Sequence, residues 1–357
     1  MKNRKGFSLP LLLIVVLLVI LSVGVFFFFR NSQKNMVWNE PNFFDSEFLG
    51  VSYIKIADSG NSAPLWSKVF GSEISKTDKE FLNKYLANFS IKNLPPVSQS
   101  NDLIKKYKNL LNVFDSAKVL NSYQCSYQMG EVCNFSVIMD ASNLASLRAT
   151  VFLNQNKLPE AVSEAKSIIN VGESISNNGD DVINLLVGWK IQRLGYQIIK
   201  GINEKGEKTY LTTEEIGNKI SDLRKSHTFV LKLMYIRNSE IIDYITSENN
   251  ELSNLVLFEE LKEPVSIFRK EIGSGLGWDT GETKKYFYDS IKNEISNIEK
   301  PCGDEIKDSK IGIKLDQNNK QEENYVGKEL YIVTYAPLGS SNVKRCEVES
   351  LINSLKN

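Results

Sequence analysis

The chain has 357 residues, with 43 basic side chains, 43 acidic ones and one histidine. Five of the cations (Lys2, Arg4, Lys5, Arg30 and Lys34) precede residue 37 and no acid does, which leaves 38 basic against 43 acidic residues from there onward. A mildly acidic body of about 320 residues can bury a full core in one large domain or two small ones, and its charge argues against a nucleic-acid or anionic-lipid partner.

The first element is apolar. Lys2, Arg4 and Lys5 lead into a 23-residue run from Phe7 to Phe29, closed by Arg30. As a helix this run spans roughly 34 Å, enough to cross the hydrocarbon core of a bilayer. The expected organisation is a basic cytoplasmic leader over 1–6 and a transmembrane helix over 7–29. A polar stalk over 30–48 and an extracytoplasmic α-helical domain over 49–357 follow. Three cations before the run and two after it favour a cytoplasmic N-terminus. Ser22-Val23-Gly24 fits a signal-peptidase site loosely. Cleavage there would leave four phenylalanines near the new terminus, so an uncleaved anchor is the preferred reading.

Lys5-Gly6-Phe7-Ser8-Leu9 resembles the start of a type IV prepilin. The resemblance covers the first thirty residues. It implies cleavage after Gly6, with Phe7 as the new N-terminus. The family usually carries a Glu at the fifth mature position; Leu11 stands there, after Pro10. The carboxylate that would pair with a neighbouring subunit's amine is therefore lacking.

Beyond the stalk, Gly50 to Ile56 alternates briefly like a short strand. Asn61-Ser62-Ala63-Pro64-Leu65-Trp66 opens a helix with Pro64 in its first turn. Thr77-Asp78-Lys79-Glu80 reads as a capping box, with Phe81, Leu82, Tyr85, Leu86 and Phe89 on one face behind it. Leu94-Pro95-Pro96 breaks the chain. From about Asn101, Leu103, Ile104, Tyr107, Leu110, Leu111 and Phe114 mark one amphipathic helix.

Four cysteines follow the apolar run. Cys125 and Cys133 are eight apart, and Cys302 and Cys346 forty-four apart. Outside the cytoplasm such thiols oxidise in pairs, and of three pairings we favour Cys125–Cys133 and Cys302–Cys346. A four-ligand metal site has no support in the spacing, since there is no Cys-x-x-Cys and one His. No cofactor is expected.

The helical signal is dense after Cys133. Leu144, Leu147, Val151 and Leu153 predict one helix, Asn154 to Pro159 a turn, and Ala161, Val162, Ala165, Ile168 and Ile169 a second helix. A third helix, Asp181 to Lys200, is apolar on most sides and so expected to be buried. Asp180, Asp181, Lys190, Gln192 and Arg193 argue against its crossing a membrane. Thr212-Thr213-Glu214-Glu215 caps a long helix to about Ile245. Another pattern, Asn250 to Ile272, is stopped by Gly273-Ser274-Gly275-Leu276-Gly277. Asp279 starts a helix to about Glu299. Pro301 to Glu323 is polar, with a weak strand pattern at Ile311–Leu315. Residues 327–336 suit helix or strand, and 346–356 a last short helix.

Leu147 to Ile168 resembles a tetratricopeptide-type hairpin, in one copy only. Asn61 to Trp66, the 144–170 hairpin, Leu185-Leu186-Val187-Gly188 and Asn324-Tyr325-Val326-Gly327-Lys328 together resemble a class of membrane-anchored bacterial helical proteins. That resemblance implies an α-helical ectodomain and favours helix at 327–336. It supplies no active site.

Candidates for chemistry are few. His227 lacks a preceding Gly-x-Ser-x-Gly and has cationic neighbours, so it is read as a histidine on a helix surface or edge. The glycines at 273–277 follow a helix rather than a strand and are read as a helix stop, not a phosphate loop. Paired carboxylates at Glu259-Glu260, Asp279 with Glu282, and Glu240 with Asp243 are the options for glycoside hydrolysis. Tyr286-Phe287-Tyr288 is read as core packing.

The expected fold is all-α: a single transmembrane helix plus an irregular α-helical-hairpin, tetratricopeptide-like ectodomain with minor β content. The expected function is that of a bacterial envelope protein with a scaffold or binding role and no evident catalysis. Its partners would be the lipid bilayer, through residues 7–29, and an envelope protein or peptide. Two alternatives remain open, a minor pilin-like subunit processed between Gly6 and Phe7, and a cell-wall glycoside hydrolase.

Overall fold

The computed structural model describes residues 57–356 apart from 58, 88, 126–132, 180, 207–208, 247–267, 269, 273–275, 303–323 and 336–340. The apolar run, the stalk, both short strand patterns and most of the 250–272 pattern lie outside the described residues. Those described are mostly helical. Eleven helices are α1 (Ala63–Ser67), α2 (Lys76–Leu86), α3 (Val97–Lys106), α4 (Lys108–Ala117), α5 (Phe135–Asn154), α6 (Leu158–Asn177), α7 (Val182–Glu204), α8 (Thr213–Thr246), α9 (Thr280–Glu299), α10 (Tyr325–Tyr335) and α11 (Ser341–Asn353). Among the described residues β structure amounts to two isolated bridges, Asn61 with Ser122 and Leu211 with Lys356.

The helices α5, α6 and α7 form the centre. The helices α2, α3 and α4 pack on α5, while α8 and α11 pack on α7. The turn between α5 and α6 is made by Asn156 in the left-handed region (φ 59°), a conformation asparagine adopts readily. Covered by α5, α6, α8 and α11, α7 is buried as its apolar pattern predicted. Among the described residues no helix is long and apolar enough to cross a membrane.

The helices α6 and α7 approach at glycine. A Cβ on Gly172 would lie 2.6 Å from the Gly188 carbonyl oxygen, and one on Gly188 2.6 Å from the Gly172 carbonyl oxygen. Beside this crossing Gln192 donates to the Ser176 hydroxyl at 2.9 Å.

Several helix boundaries differ from the sequence pattern, each because a polar side chain is used elsewhere. The α2 cap is Ser75, two residues before the expected Thr77, and its Oγ accepts from the Asp78 N–H. The Asp140 carboxylate on α5 takes the Ile74 N–H at 2.9 Å, which fixes where the chain enters the helix. The single helix expected from Asn101 is two helices, α3 and α4, divided at Tyr107. There the phenol turns away to donate to Asp78 (2.6 Å) and accept from the Ser75 N–H (3.0 Å). The last helix begins at Ser341 rather than 346, because Ser341 and Asn342 are buried partners of other helices. The 212–215 box forms as expected: Thr212 Oγ1 accepts from the Glu215 N–H (3.1 Å), and Glu215 accepts from the Thr212 N–H (2.7 Å). Residues 325–335 are helical.

Two of the short motifs of the second resemblance act as clamps. Asn61 donates to the Gln124 carbonyl (2.7 Å) and accepts from the Gln124 N–H (2.8 Å). Asn324, at φ 60°, accepts from the Asp279 N–H and the Thr283 hydroxyl, both at 2.9 Å, and so ties α10 to the start of α9.

Candidate functional site

His227 is fully buried on α8, not on a helix surface. The sequence reading missed this because α7 and α11 cover that side of α8 with residues far away in the chain. The Trp189 ring meets the imidazole edge-on at 5.1 Å, and the Ser341 hydroxyl lies 2.9 Å from Nε2. Nδ1 has no partner. Burial, then the nearby Arg345 charge, lowers the imidazole pKa to about 3. A serine–histidine pair at this distance has the geometry of a nucleophile and base, but among the described residues no carboxylate reaches Nδ1, and both side chains are buried.

The carboxylate candidates are structural where they are described. Asp279 caps α9, accepting from the Glu282 N–H at 2.6 Å. Glu282 accepts from the Tyr286 hydroxyl. Asp243 is largely exposed and pairs with Lys284 at 2.8 Å. Glu259, Glu260 and the Glu240 side chain lie outside the described residues, as do the glycines at 273 and 275. Gly277 accepts from the Val326 N–H, which joins the glycine stop to α10. Phe287 and Tyr288 are core residues, as expected, and Tyr286 packs on Tyr331. Among the described residues no three His, Cys, Asp or Glu side chains cluster as metal ligands.

The structure gathers instead a set of buried polar groups that periodicity did not reveal. Arg345 and Glu349, one turn apart on α11, form a buried ion pair. The Glu349 carboxylate also takes two bonds from Arg224 of α8, at 3.0 and 2.9 Å. Glu294 of α9 is fully buried and accepts from the Asn342 amide. Arg345 and Glu349 thus balance each other, as buried charges must, and the partly exposed Arg224 adds a second cation to the same carboxylate. Burial lowers the Arg345 pKa, and Glu349 opposes that effect. On the α10 side the Tyr331 hydroxyl bonds Ser290, and burial pushes this phenol up to about 12.

A disulfide closes this hub. Cys302, just after α9, is bonded to Cys346 of α11 with Cα atoms 5.4 Å apart, and its sulfur lies 3.3 Å from the Glu349 carboxylate. Cys125 and Cys133 form the second bridge, with Cα atoms 5.7 Å apart. Both are the pairings favoured from the sequence.

No protein-family model, no curated protein and no solved structure matches the chain.

Two grooves flank the hub. One, about 590 Å3, lies between α8 and α9 and is lined by Arg224, Lys225, Lys232, Phe229 and Ile298 among others. The other, about 320 Å3, lies between α7 and α11. Both fall within the ~300–1,000 Å3 range of ligand sites. Both combine cations with apolar walls, a chemistry suited to holding an anionic partner.

Proposed function

We propose that the chain is a membrane-tethered helical scaffold whose folded part lies outside the cytoplasm and binds a protein or peptide of the cell envelope. The observation that carries this reading is the pairing of all four cysteines. Structural disulfides persist in oxidising compartments and are rare in the cytosol. The 23-residue apolar run with its basic leader supplies the tether. The two grooves supply binding surfaces that need no catalytic group. The resemblance of Leu147 to Ile168 to a tetratricopeptide-type hairpin supports the same reading, since stacked hairpins of that type form binding surfaces.

The test is topology. In cells fractionated with thiols blocked at lysis, the protein should be recovered with membranes, resist alkylation until reduced, and be digested by protease added outside the cytoplasmic membrane. Recovery as dissolved cytosolic protein with four alkylated thiols would overturn the proposal. Lys5-Gly6-Phe7-Ser8-Leu9 favours a second reading, a pilin-like subunit. Mass spectrometry of the N-terminus separates the two: a mature chain beginning at Phe7 supports the filament subunit, and an intact leader supports the plain anchor.

A further inference from the structure

The groove between α7 and α11 has a specific chemistry. Trp189 and Val348 form its floor with Leu186 beside them. Trp189 is buried, and its indole N–H finds no acceptor among the described residues. The walls are charged: Lys190 and Arg193 from α7, Lys344 and Glu347 from α11. Glu347 is shared, taking Arg193 at 2.9 Å and Lys344 at 2.7 Å. Lys190 is exposed and has no ion-pair partner among the described residues. Three cations therefore face one carboxylate, on a chain that is acidic from residue 37 onward. Ile183 precedes Lys190 by two helical turns on the same face of α7 and is 49 % exposed; Val343, next to Lys344, is 43 % exposed.

We propose that this groove binds an acidic peptide segment of the partner, with a carboxylate between Lys190 and Arg193 and a neighbouring apolar side chain over Trp189 and Val348. The proposal rests on the scaffold reading above and names the partner's chemistry. Charge decides between occupants. A second copy of this chain seated groove to groove would bring like charges together, whereas an acidic segment relieves the excess. Size decides the rest. A cavity near the lower end of the usual range accepts a short stretch of chain bearing one apolar anchor.

The test uses the full chain in detergent micelles and fluorescence anisotropy. The probe is a fluorescein-labelled decapeptide alternating glutamate with phenylalanine and leucine; the control replaces each glutamate by lysine. The glutamate peptide should bind, more weakly as salt rises, and the lysine peptide should bind at least about tenfold more weakly. Lys190→Glu should weaken the glutamate peptide, and Lys190→Glu with Lys344→Glu should reverse the preference. Both lysines are exposed, so circular dichroism of these variants should match that of the native protein. Equal binding of the two peptides, no binding of either, or glutamate-peptide binding that survives the double reversal would overturn the proposal. So would loss on Lys225→Glu, in the α8/α9 groove, in place of loss on Lys190→Glu. None of these outcomes bears on the fractionation and alkylation result, so the groove and the tethered scaffold stand or fall separately.

Discussion

Between α6 and α7 the backbones nearly touch, glycine against glycine. Between α8, α9 and α11 the space is filled by guanidinium groups, carboxylates, an imidazole and a disulfide. Both regions pack closely, the second with Arg224 partly exposed at its edge. The first does so with small residues, so it leaves few charges to neutralise but has no room for a methyl group. The second does so with a balanced set of charges, so every member depends on the others. The contrast has a functional side. The glycine crossing holds no thiol or titratable group, whereas the hub, with both grooves beside it, holds an imidazole, paired charges and a disulfide.

The largest predicted effect breaks the hub. Glu349→Gln leaves Arg345 buried without its counter-charge and should cost about 3–5 kcal/mol, read as a lowered urea midpoint. Replacing Arg345 and Glu349 together by methionine and leucine should cost much less, because no lone charge remains. If the single variant were as stable as the native protein, the hub would not be held by charge and the contrast would fail. The disulfides come next. Cys302–Cys346 closes 44 residues and Cys125–Cys133 closes 8, so unfolded-chain entropy assigns them about 4 and about 2.5 kcal/mol. Paired serine variants should rank in that order by thermal melting. At the crossing, Gly188→Val drives methyl groups into the Gly172 carbonyl and Ser176, and should cost about 3 kcal/mol. The same substitution at Gly206, whose Cβ would meet nothing, tests backbone strain alone.

The two regions were not equally legible from the sequence. Apolar periodicity located α5 through α9 and predicted the burial of α7, because a helix apolar on most sides has no solvated face. The Thr212 cap and the Asp279 helix start follow from short-range hydrogen-bond chemistry, and each forms. Even cysteine number with a short and a long spacing led to the observed pairing. The glycine crossing was half-legible: Gly172 and Gly188 are visible as small residues, but their facing depends on the α6–α7 register. The hub was not legible. Arg224, Glu294, Ser341, Asn342, Arg345 and Glu349 give no periodic signal, because each is held by a partner from another helix, up to 125 residues away. His227 failed for the same reason, and Tyr107 because its hydroxyl serves α2 rather than its own helix. One signal in the sequence pointed toward the hub: Cys346 stands between Arg345 and Glu347, so a disulfide anchors the charged helix to the protein.

The histidine provides the most discriminating measurement, though its effect is smaller. In the folded protein the imidazole takes its proton only near pH 3, whereas in the unfolded chain it does so near pH 6.5. The folded pKa is depressed, so below pH 6.5 the unfolded state binds the proton first. Stability is fully present above that pH and is lost as pH falls, by up to about 1.4 kcal/mol per unit until the folded value is reached. From pH 7 to pH 5 the loss is about 2 kcal/mol, in a window above the range where ordinary carboxylates titrate. His227→Gln should remove that slope, whereas Gly188→Val should lower the whole stability curve and leave the slope intact. The chain has a single histidine, so one imidazole resonance reports directly. In the folded protein at pH 5 it should keep the chemical shift of the neutral ring. A resonance titrating near pH 6.5 with the protein still folded would mean that water reaches α8 between α7 and α11. The sealed hub would then be an open one, and the contrast with the glycine crossing would reduce to a difference in residue size.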